Sequence, residues 1–473
     1  MDGRRLRQLR RLIETVHAAL RREAIVAFGR TAPNPTVAAA VVAETPGGLK
    51  IFSGATEAPG GRHAEIAALE AYEAYEAAGD SFPGRMYVTL EPCSHHGRTP
   101  PCTDRILKYP QLKKLIVFTA DPSLPESGCE LLRAAGRTVI MRRPPDEQKD
   151  ASHRNVRGGR RAARFLDGFH SRIAGKGPRL HYKIAATADD ILGRRNRRYV
   201  ISGERALQIG QLLRAKLDAV LVGPGTVATD APSLALRPES LVTSAPEERS
   251  GRGDWFWDSL FENEAAVRAA IAEDAAGYQP ARVFILGRPS STAAEFLQRQ
   301  WQVTIASGRL PVFAALPGCR ALWMPLFQAL RDADGFEAEA AAAADRSPGA
   351  GPRPAEYLAA FDGAGLPESP ALEDPAFAQR LREWLGALGY NEVMIEGGAG
   401  LLSALQAGAL TQDRIYVLRS KRRFEELPDL DADLGADVDP ATDGVRLPEW
   451  MGRASLGAAY DLGADRLEVR RPS

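Results

Sequence analysis

His63-Ala64-Glu65 and, further on, Thr89-Leu90-Glu91-Pro92-Cys93-Ser94-His95-His96-Gly97-Arg98-Thr99-Pro100-Pro101-Cys102 decide how the first part of this chain folds and what it can hold. One imidazole and two thiols supply three corners of a tetrahedral zinc site and leave the fourth for water, the arrangement of catalytic rather than closed structural zinc. Zinc lowers the pKa of its water toward ~7, which makes hydroxide available at neutral pH to attack an amidine-like ring carbon. Glu65, two residues past the histidine, is placed to carry the proton. The expected ligands of Zn2+ are therefore His63, Cys93 and Cys102, with Glu65 as the catalytic acid and base. A structural or redox role for the two cysteines leaves His63 and Glu65 without a task. His95 and His96 could close the site, line a polar substrate loop with Gly97 and Arg98, or be plain surface histidines.

Around these ligands the element types alternate. Val37 to Val42, after the Pro33-Asn34-Pro35 turn, is an apolar run that reads as a strand. Gly60-Gly61 precedes His63, and Glu65, Ile66, Ala67, Ala68 and Leu69 are helix formers, so ligand and base are expected in a first helical turn. Arg85 to Leu90 reads as the next strand. Pro92 cannot continue a ladder, and Pro100-Pro101 suits the start of a second helix carrying Cys102. Helix amino-termini facing the metal favour thiolate over thiol. Leu115 to Ala120 is a further strand, and Asp121-Pro122-Ser123 a loop after it. The alternation predicts an α/β sandwich.

A His-x-Glu segment followed by Pro-Cys-x-x-Cys marks the zinc nucleobase deaminases, and here eight residues separate the cysteines instead of two. Together with Thr31-Ala32-Pro33-Asn34-Pro35, these segments resemble the bifunctional deaminase/reductase family of bacterial riboflavin biosynthesis. That resemblance implies a cytidine-deaminase-like α/β/α sandwich followed by a dihydrofolate-reductase-like α/β domain. It implies deamination of a diaminopyrimidinone ribosylamino phosphate in the first domain and NADPH reduction of the ribosyl group to ribityl in the second. It also implies Asn34, Arg98 and Asp121 as substrate contacts, while Ser123 stands where the family has asparagine.

The resemblance continues in the second half. Leu180 to Asp189 resembles the family's lysine-containing first reductase strand, with Lys183 at the functional lysine, and Ala185 and Tyr199 at cofactor positions. Arg197 replaces a small hydroxyl residue. Arg214 and Arg237 fall on phosphate-binding positions, Leu234 on a substrate position, and Thr226 and Asp230 on cofactor contacts; Ala231 replaces a second aspartate. Glu392-Val-Met-Ile-Glu-Gly-Gly-Ala-Gly400 reads as an apolar strand running into a glycine cluster and a helix over Leu401 to Ala407, where backbone amides could face a pyrophosphate. Glu396 matches the family's substrate glutamate, and Gly398 begins the dinucleotide contact. Gly-x-Gly-x-x-Gly is absent, so this is not the Rossmann fingerprint.

At 473 residues the chain exceeds a single core, which predicts a zinc deaminase domain over 1–150, a linker over 151–178 and a reductase domain over 179–473. Two stretches depart from the family by length, near 239–278 with Trp255-Phe-Trp257, and near 332–370 with an alanine run. The first is expected to pack back on the domain or serve a subunit contact, the second to be mobile. A net charge of +1 argues against a nucleic-acid partner. The arginines between Arg142 and Gly177 read as a solvated linker helix. Leu6, Leu9, Ile13 and Leu20 recur near helical spacing, so the arginine-rich start is expected to be an amphipathic helix rather than a transit peptide. Four cysteines, two of them assigned to metal, suit a reducing cytoplasm. No long apolar run predicts a membrane span. The resemblance implies a small-molecule substrate and a homo-oligomer. Two other classes remain open: a tRNA or free-nucleoside deaminase, and an active deaminase joined to a non-catalytic reductase-like binding module.

Overall fold

A computed structural model describes residues 3–76, 82–96, 100–141, 161–194, 200–241, 246, 248–251, 253–345, 353–363, 367–427 and 444–472. The chain divides into two compact units. Residues 1–175 with 255–270 form the first, and 176–254 with 271–473 the second.

The first unit opens with α1 (Gly3–Ala27), followed by β1 (Ala38–Thr45), β2 (Gly48–Ala55), α2 (Ala64–Glu76), β3 (Phe82–Val88), α3 (Cys102–Leu107), β4 (Lys114–Val117), α4 (Gly128–Ala134), β5 (Thr138–Met141) and α5 (Asp167–Ile173). Its sheet has the order β2-β1-β3-β4-β5, antiparallel around β1 and parallel from β3 to β5. β1 is buried on both faces because its residues are small and apolar. Ala39, Val41 and Ala43 pack with Ala64, Ala68, Leu69 and Tyr72 of α2. Ala38, Ala40 and Val42 are equally buried, on a strand that α1 also packs against. The amphipathic helix expected at the start is thus a layer of the sandwich, with Val16, Leu20, Ala24 and Ile25 fully buried while Leu6 and Leu9 face solvent.

The junction also turns inward. Where it is described, Phe165, Leu166 and Phe169 are buried, and Leu166 and Phe169 join the first unit's core. Trp255-Phe-Trp257 of the expected insertion belongs to this unit, with Trp255 edge-on to Phe165 at 4.7 Å and Phe256 5.9 Å from Phe28.

The second unit holds β6 (Arg179–Ala186), β7 (Ile191–Arg194), α6 (Glu204–Lys216), β8 (Ala219–Val222), α7 (Pro224–Asp230), β9 (Arg249–Gly251), β10 (Ala281–Leu286), β11 (Pro311–Ala315), β12 (Glu392–Glu396), α8 (Ala399–Ala404), β13 (Arg414–Ser420), β14 (Gly444–Arg446), β15 (Ser455–Asp461) and β16 (Asp465–Arg471). A nine-stranded sheet runs β11-β10-β8-β12-β6-β13-β16-β15-β9. It is parallel from β11 through β13 and antiparallel beyond. Its near-continuous runs of Val, Ile and Leu reflect strands covered on both faces.

The expected helix over Leu401 to Ala407 begins two residues earlier and ends at Ala404, followed by a 3-10 turn over Gln406–Gly408. The alanine run expected to be mobile is instead a helix, Phe336–Asp345. Alanine is the best helix former, and Phe336, Ala340 and Ala343 are buried, with Phe336 stacked on Trp301 at 4.0 Å. Among the described residues no helix is long and apolar enough to cross a membrane.

Candidate active sites

In the first unit the sheet register brings the expected residues to one end. Ala38 at the start of β1 pairs with Ala55 at the end of β2, Ala39 pairs with Val88 at the end of β3, and Val88 pairs with Val117 at the end of β4. Four loops therefore leave the same edge: that before β1 with Asn34, that after β2 leading to His63, that after β3 with Cys93, and that after β4 with Asp121.

His63 directly precedes α2, its carbonyl accepting from Ala67 N, and Glu65 lies in the helix's first turn. Cys102 is the first residue of α3, after Pro101. His63 Nδ1 lies 3.5 Å from Cys93 Sγ and 3.4 Å from Cys102 Sγ. Zn–N and Zn–S bonds at tetrahedral angles set nitrogen and sulfur about 3.5 Å apart, so both nitrogen–sulfur distances are those a shared zinc requires. Among the described residues they are the group able to hold a metal. His95 and His96 are exposed and outside it. Among the described residues no fourth side chain joins them, as an open catalytic site rather than a closed structural one requires.

Glu65 is 4 % exposed. Burial, and then the charge of Cys93, push its carboxyl up to about 7, where a carboxylate both takes and returns a proton near neutrality. Cys93 is held down to about 4, first by its hydrogen bond to Cys102 and also by His63 and the Cys102 N–H, which donates to its sulfur at 3.3 Å. The hydrogen bond to Cys93 raises His63.

Sequence reading missed Glu91. Its buried carboxylate accepts from Ser127 Oγ, from Cys129 N at 3.0 Å and from Asp121 N at 3.4 Å. It thereby ties the Cys93 turn to the Asp121 loop and to the start of α4. Gly128 completes this join, since a β-carbon there would stand 1.9 Å from the Pro92 carbonyl oxygen. The signal in the sequence was a carboxylate two residues before a ligand. Asp121 accepts from Ser123 N at 2.9 Å and Ser123 Oγ at 2.6 Å, so serine caps the loop where asparagine was expected. Asn34 N donates to Thr31 O at 2.9 Å. Arg98 lies outside the described residues.

In the second unit Lys183 on β6 stands opposite Glu396 on β12 and Tyr416 on β13. Arg214 of α6 grips Glu396 with both arms of its fork, Nε at 2.9 Å and Nη2 at 3.0 Å, and Lys183 Nζ lies 3.9 Å away. Burial alone would raise Glu396; Arg214, Lys183 and Arg237 outweigh it and hold the carboxylate down to about 2. Lys183, Arg214, Arg237 and Glu396 thus form one charged cluster, drawn from four separated segments.

Arg237 and Leu234 sit on a loop whose backbone is strained. Ala231 has φ 40° and Leu234 φ 54°, a region that costs a side chain about 1–2 kcal/mol. Side chains hold the loop there. Arg299 donates to Ala231 O at 2.7 Å, Gln300 to Pro232 O at 2.8 Å and Arg214 to Ala235 O at 3.2 Å, while Gln211 accepts from Arg237 N at 2.9 Å. None of these holding residues except Arg214 was anticipated.

Thr226 and Asp230 lie in α7, Gly398 caps α8, and Ala185 lies on β6. Tyr199 and Arg197 lie outside the described residues. The helices α7 and α8 begin just past the carboxyl ends of β8 and β12. Gly287, after β10, allows α7 to approach, since a β-carbon there would lie 2.8 Å from Pro224 Cβ. Carboxyl ends of parallel strands with adjoining helix starts are where open α/β sheets bind ligands.

Comparison with known proteins follows the same division. Residues 13–119 match the family model of the cytidine and deoxycytidylate deaminase zinc-binding region. The riboflavin biosynthesis protein RibD of Aquifex aeolicus is 36% identical over 214 residues, 44% of this chain and 53% of that protein. RibD of Corynebacterium ammoniagenes and of Escherichia coli are each 32% identical, over 211 and 215 residues, 44% of this chain and 56% and 51% of theirs. The chain spans about half the length of the curated relatives it matches. Among solved structures, a diaminohydroxyphosphoribosylaminopyrimidine deaminase/5-amino-6-(5-phosphoribosylamino)uracil reductase from Thermotoga maritima is similar over 98% of this chain and 99% of that one, with a TM-score of 0.59 at 21% identity. RibD of Acinetobacter baumannii is similar over 99% and 100%, with a TM-score of 0.58 at 22% identity. Sequence carries the likeness to the RibD proteins through the first part of the chain, and the likeness of fold to the two solved structures extends over the rest.

Proposed function

We propose that this chain catalyses two consecutive steps of riboflavin biosynthesis: hydrolytic deamination of the diaminopyrimidinone ribosylamino phosphate in the first unit, then reduction of the ribosyl group to ribityl in the second. The observation that carries the reading is the spacing of His63, Cys93 and Cys102 around one open corner, with Glu65 buried beside them. These three residues would hold zinc, which would supply the Lewis acidity to ionise water near neutral pH. Glu65 takes the proton released as water adds to the amine-bearing carbon and returns it to the nitrogen, so that ammonia leaves and a carbonyl remains. Asn34 and Asp121, on loops from the same sheet end, hold the pyrimidine, and Arg98 takes the phosphate.

In the second unit bound NADPH would supply a hydride for ribose C1 of the ring-opened imine, with a proton from solvent going to the nitrogen. Thr226, Asp230 and Gly398 serve the dinucleotide, and Ala185 and Tyr199 are further cofactor contacts. Lys183 is the catalytic cation, and Leu234 packs on the substrate. Arg214 has a double role: its fork keeps Glu396 ionised for the substrate, and its outer edge shares the phosphate with Arg237. A small-molecule substrate, no nucleic-acid or membrane partner, and a cytoplasmic setting complete the reading. The unpaired buried cysteines Cys129 and Cys319 support that setting.

A coupled assay following ammonia release and NADPH oxidation on the pathway pyrimidine tests both steps. Stoichiometric release and oxidation support the reading. Ammonia without oxidation would leave the second unit a binding module, and activity on cytidine or tRNA alone would move the first to another deaminase class.

A further inference from the structure

We propose that α5, from the segment joining the two halves, positions both pyrimidine loops of the deaminase site through Arg172 and His170. This inference rests on the proposed deaminase function for its catalytic consequence. Its geometry stands apart from it.

Arg172 Nη2 donates to Pro33 O at 2.7 Å, the carbonyl immediately before Asn34. The guanidinium also lies over the Phe169 ring, 5.6 Å from its centroid, and Phe169 is fixed in the first unit's core. Its aim is therefore set by packing as well as by the bond. Two residues earlier, burial lowers His170 against the opposing influence of Asp167, of the Ala120 backbone immediately before Asp121, and of Asp121 itself, which sets the ring beside that loop. One two-turn helix thus contacts the backbone next to each of two residues that the register already brings to the metal end of the sheet.

His170 is also poorly explained as filler. Its Nε2 is buried without a hydrogen-bond partner among the described residues. An unpaired buried nitrogen costs stability, which an apolar side chain of similar size would avoid. The Ala120 contact gives the ring a reason to be there. Within the loop before β1, Asn34 N donates to Thr31 O at 2.9 Å and the Thr31 and Thr36 hydroxyls lie 2.8 Å apart, while its end at Val37 is bonded to Thr56. Arg172 ties that loop to a segment 139 positions away. Both are positioning residues: they act through Asn34 and Asp121 and do not touch the reacting atoms.

The test uses the full zinc-loaded chain and the variants Arg172→Ala, Arg172→Lys and His170→Phe. Amide hydrogen exchange is compared in peptides covering 31–36 and 118–124, and ammonia release is measured against substrate concentration with zinc content recorded. The inference expects faster exchange in those two peptides, with β1 and β3 unchanged. It expects KM to rise about tenfold, the worth of one charge-assisted hydrogen bond, while kcat and zinc stay near wild type; Arg172→Lys recovers part of the loss. Unchanged exchange in both peptides overturns it, as does a fall in kcat that tracks lost zinc. Should Arg172→Ala not fold, Arg172→Lys decides by the same readouts. If the wild type releases no ammonia, the functional reading has failed, and the exchange pattern alone decides the positioning.

Discussion

Replacing Glu396 by glutamine isolates the charged cluster of the second unit and gives it a pH signature. The carboxylate is partly buried, which alone would raise it, but both arms of Arg214 reach it at 2.9 and 3.0 Å and, with Lys183 and Arg237, hold it at about 2 rather than the ordinary 4.5. That difference corresponds to about 3 kcal/mol of folding stability. Because the folded value is depressed, the contribution is fully present above pH 4.5 and drains away as pH falls from 4.5 towards 2. Glu396→Gln is therefore expected to destabilise the second unit by about 3 kcal/mol at pH 7, where Arg214 is left without its counter-charge, and by about 1 kcal/mol at pH 3. Urea-dependent hydrogen exchange of peptides covering 179–186 and 392–396 reports β6 and β12, and hence this unit alone. A gap between wild type and variant that is the same at both pH values, or no gap at pH 7, would refute the assignment of the depressed carboxylate to this cluster. Lys183→Met should cost less than the loss of Arg214's partner, since its nitrogen stands 3.9 Å away without a hydrogen bond.

Three further outcomes follow from the first unit. Glu65→Gln keeps the shape and the metal but removes the proton carrier, so ammonia release should fall by about 10²–10⁴ with zinc content by elemental analysis unchanged. Gly128→Ala places a β-carbon 1.9 Å from Pro92 O and must displace the Cys93 turn; weaker zinc retention against a chelator is expected, with the second unit's hydrogen exchange unaffected. Trp257→Ala empties the site of a fully buried indole stacked against Phe261, at a cost of about 3–5 kcal/mol. Although residue 257 follows most of the reductase motifs' first block in sequence, the loss should appear in thermal unfolding of the deaminase unit. Loss confined to the reductase would contradict the packing described.

Two of the three candidate metal ligands were legible because each sits at the start of a helix whose local chemistry announces it. His63 follows Gly60-Gly61 into a run of helix formers, and Cys102 follows Pro100-Pro101 into α3. Glu91 was not, because its meaning lies in Cys129 and Ser127, 38 and 36 positions on. The Arg214–Glu396 pair spans 182 positions; resemblance marked each member for substrate, and nothing in spacing could reveal that they grip one another. β2 is half-exposed and bears glycine at both Gly48 and Gly54, which blunts the alternation that would have marked it as a strand. The aromatic insertion was legible as buried, since three large rings in a row demand cover. Its destination in the first unit was not, because apolar side chains carry no address.

The departures Ala231 and Ser123 bear on whether the second half is a catalyst or a scaffold. Each loop keeps its order by other means: Ser123 supplies two hydrogen bonds to Asp121, and Arg299 holds the carbonyl of Ala231 in a left-handed conformation that aspartate or glycine would adopt more readily. A scaffold would have no use for this strain, nor for Arg214 and Lys183 both held within 4 Å of Glu396. Removing charges from water is expensive, and well-packed apolar residues in their place are commonly neutral or stabilising. Strain and desolvated charge concentrated on one loop and one cluster, at the carboxyl ends of parallel strands, are costs that binding and chemistry explain and folding does not. The physical argument therefore favours a working reductase over an inert module, and NADPH oxidation on the deaminated pyrimidine is where the two part.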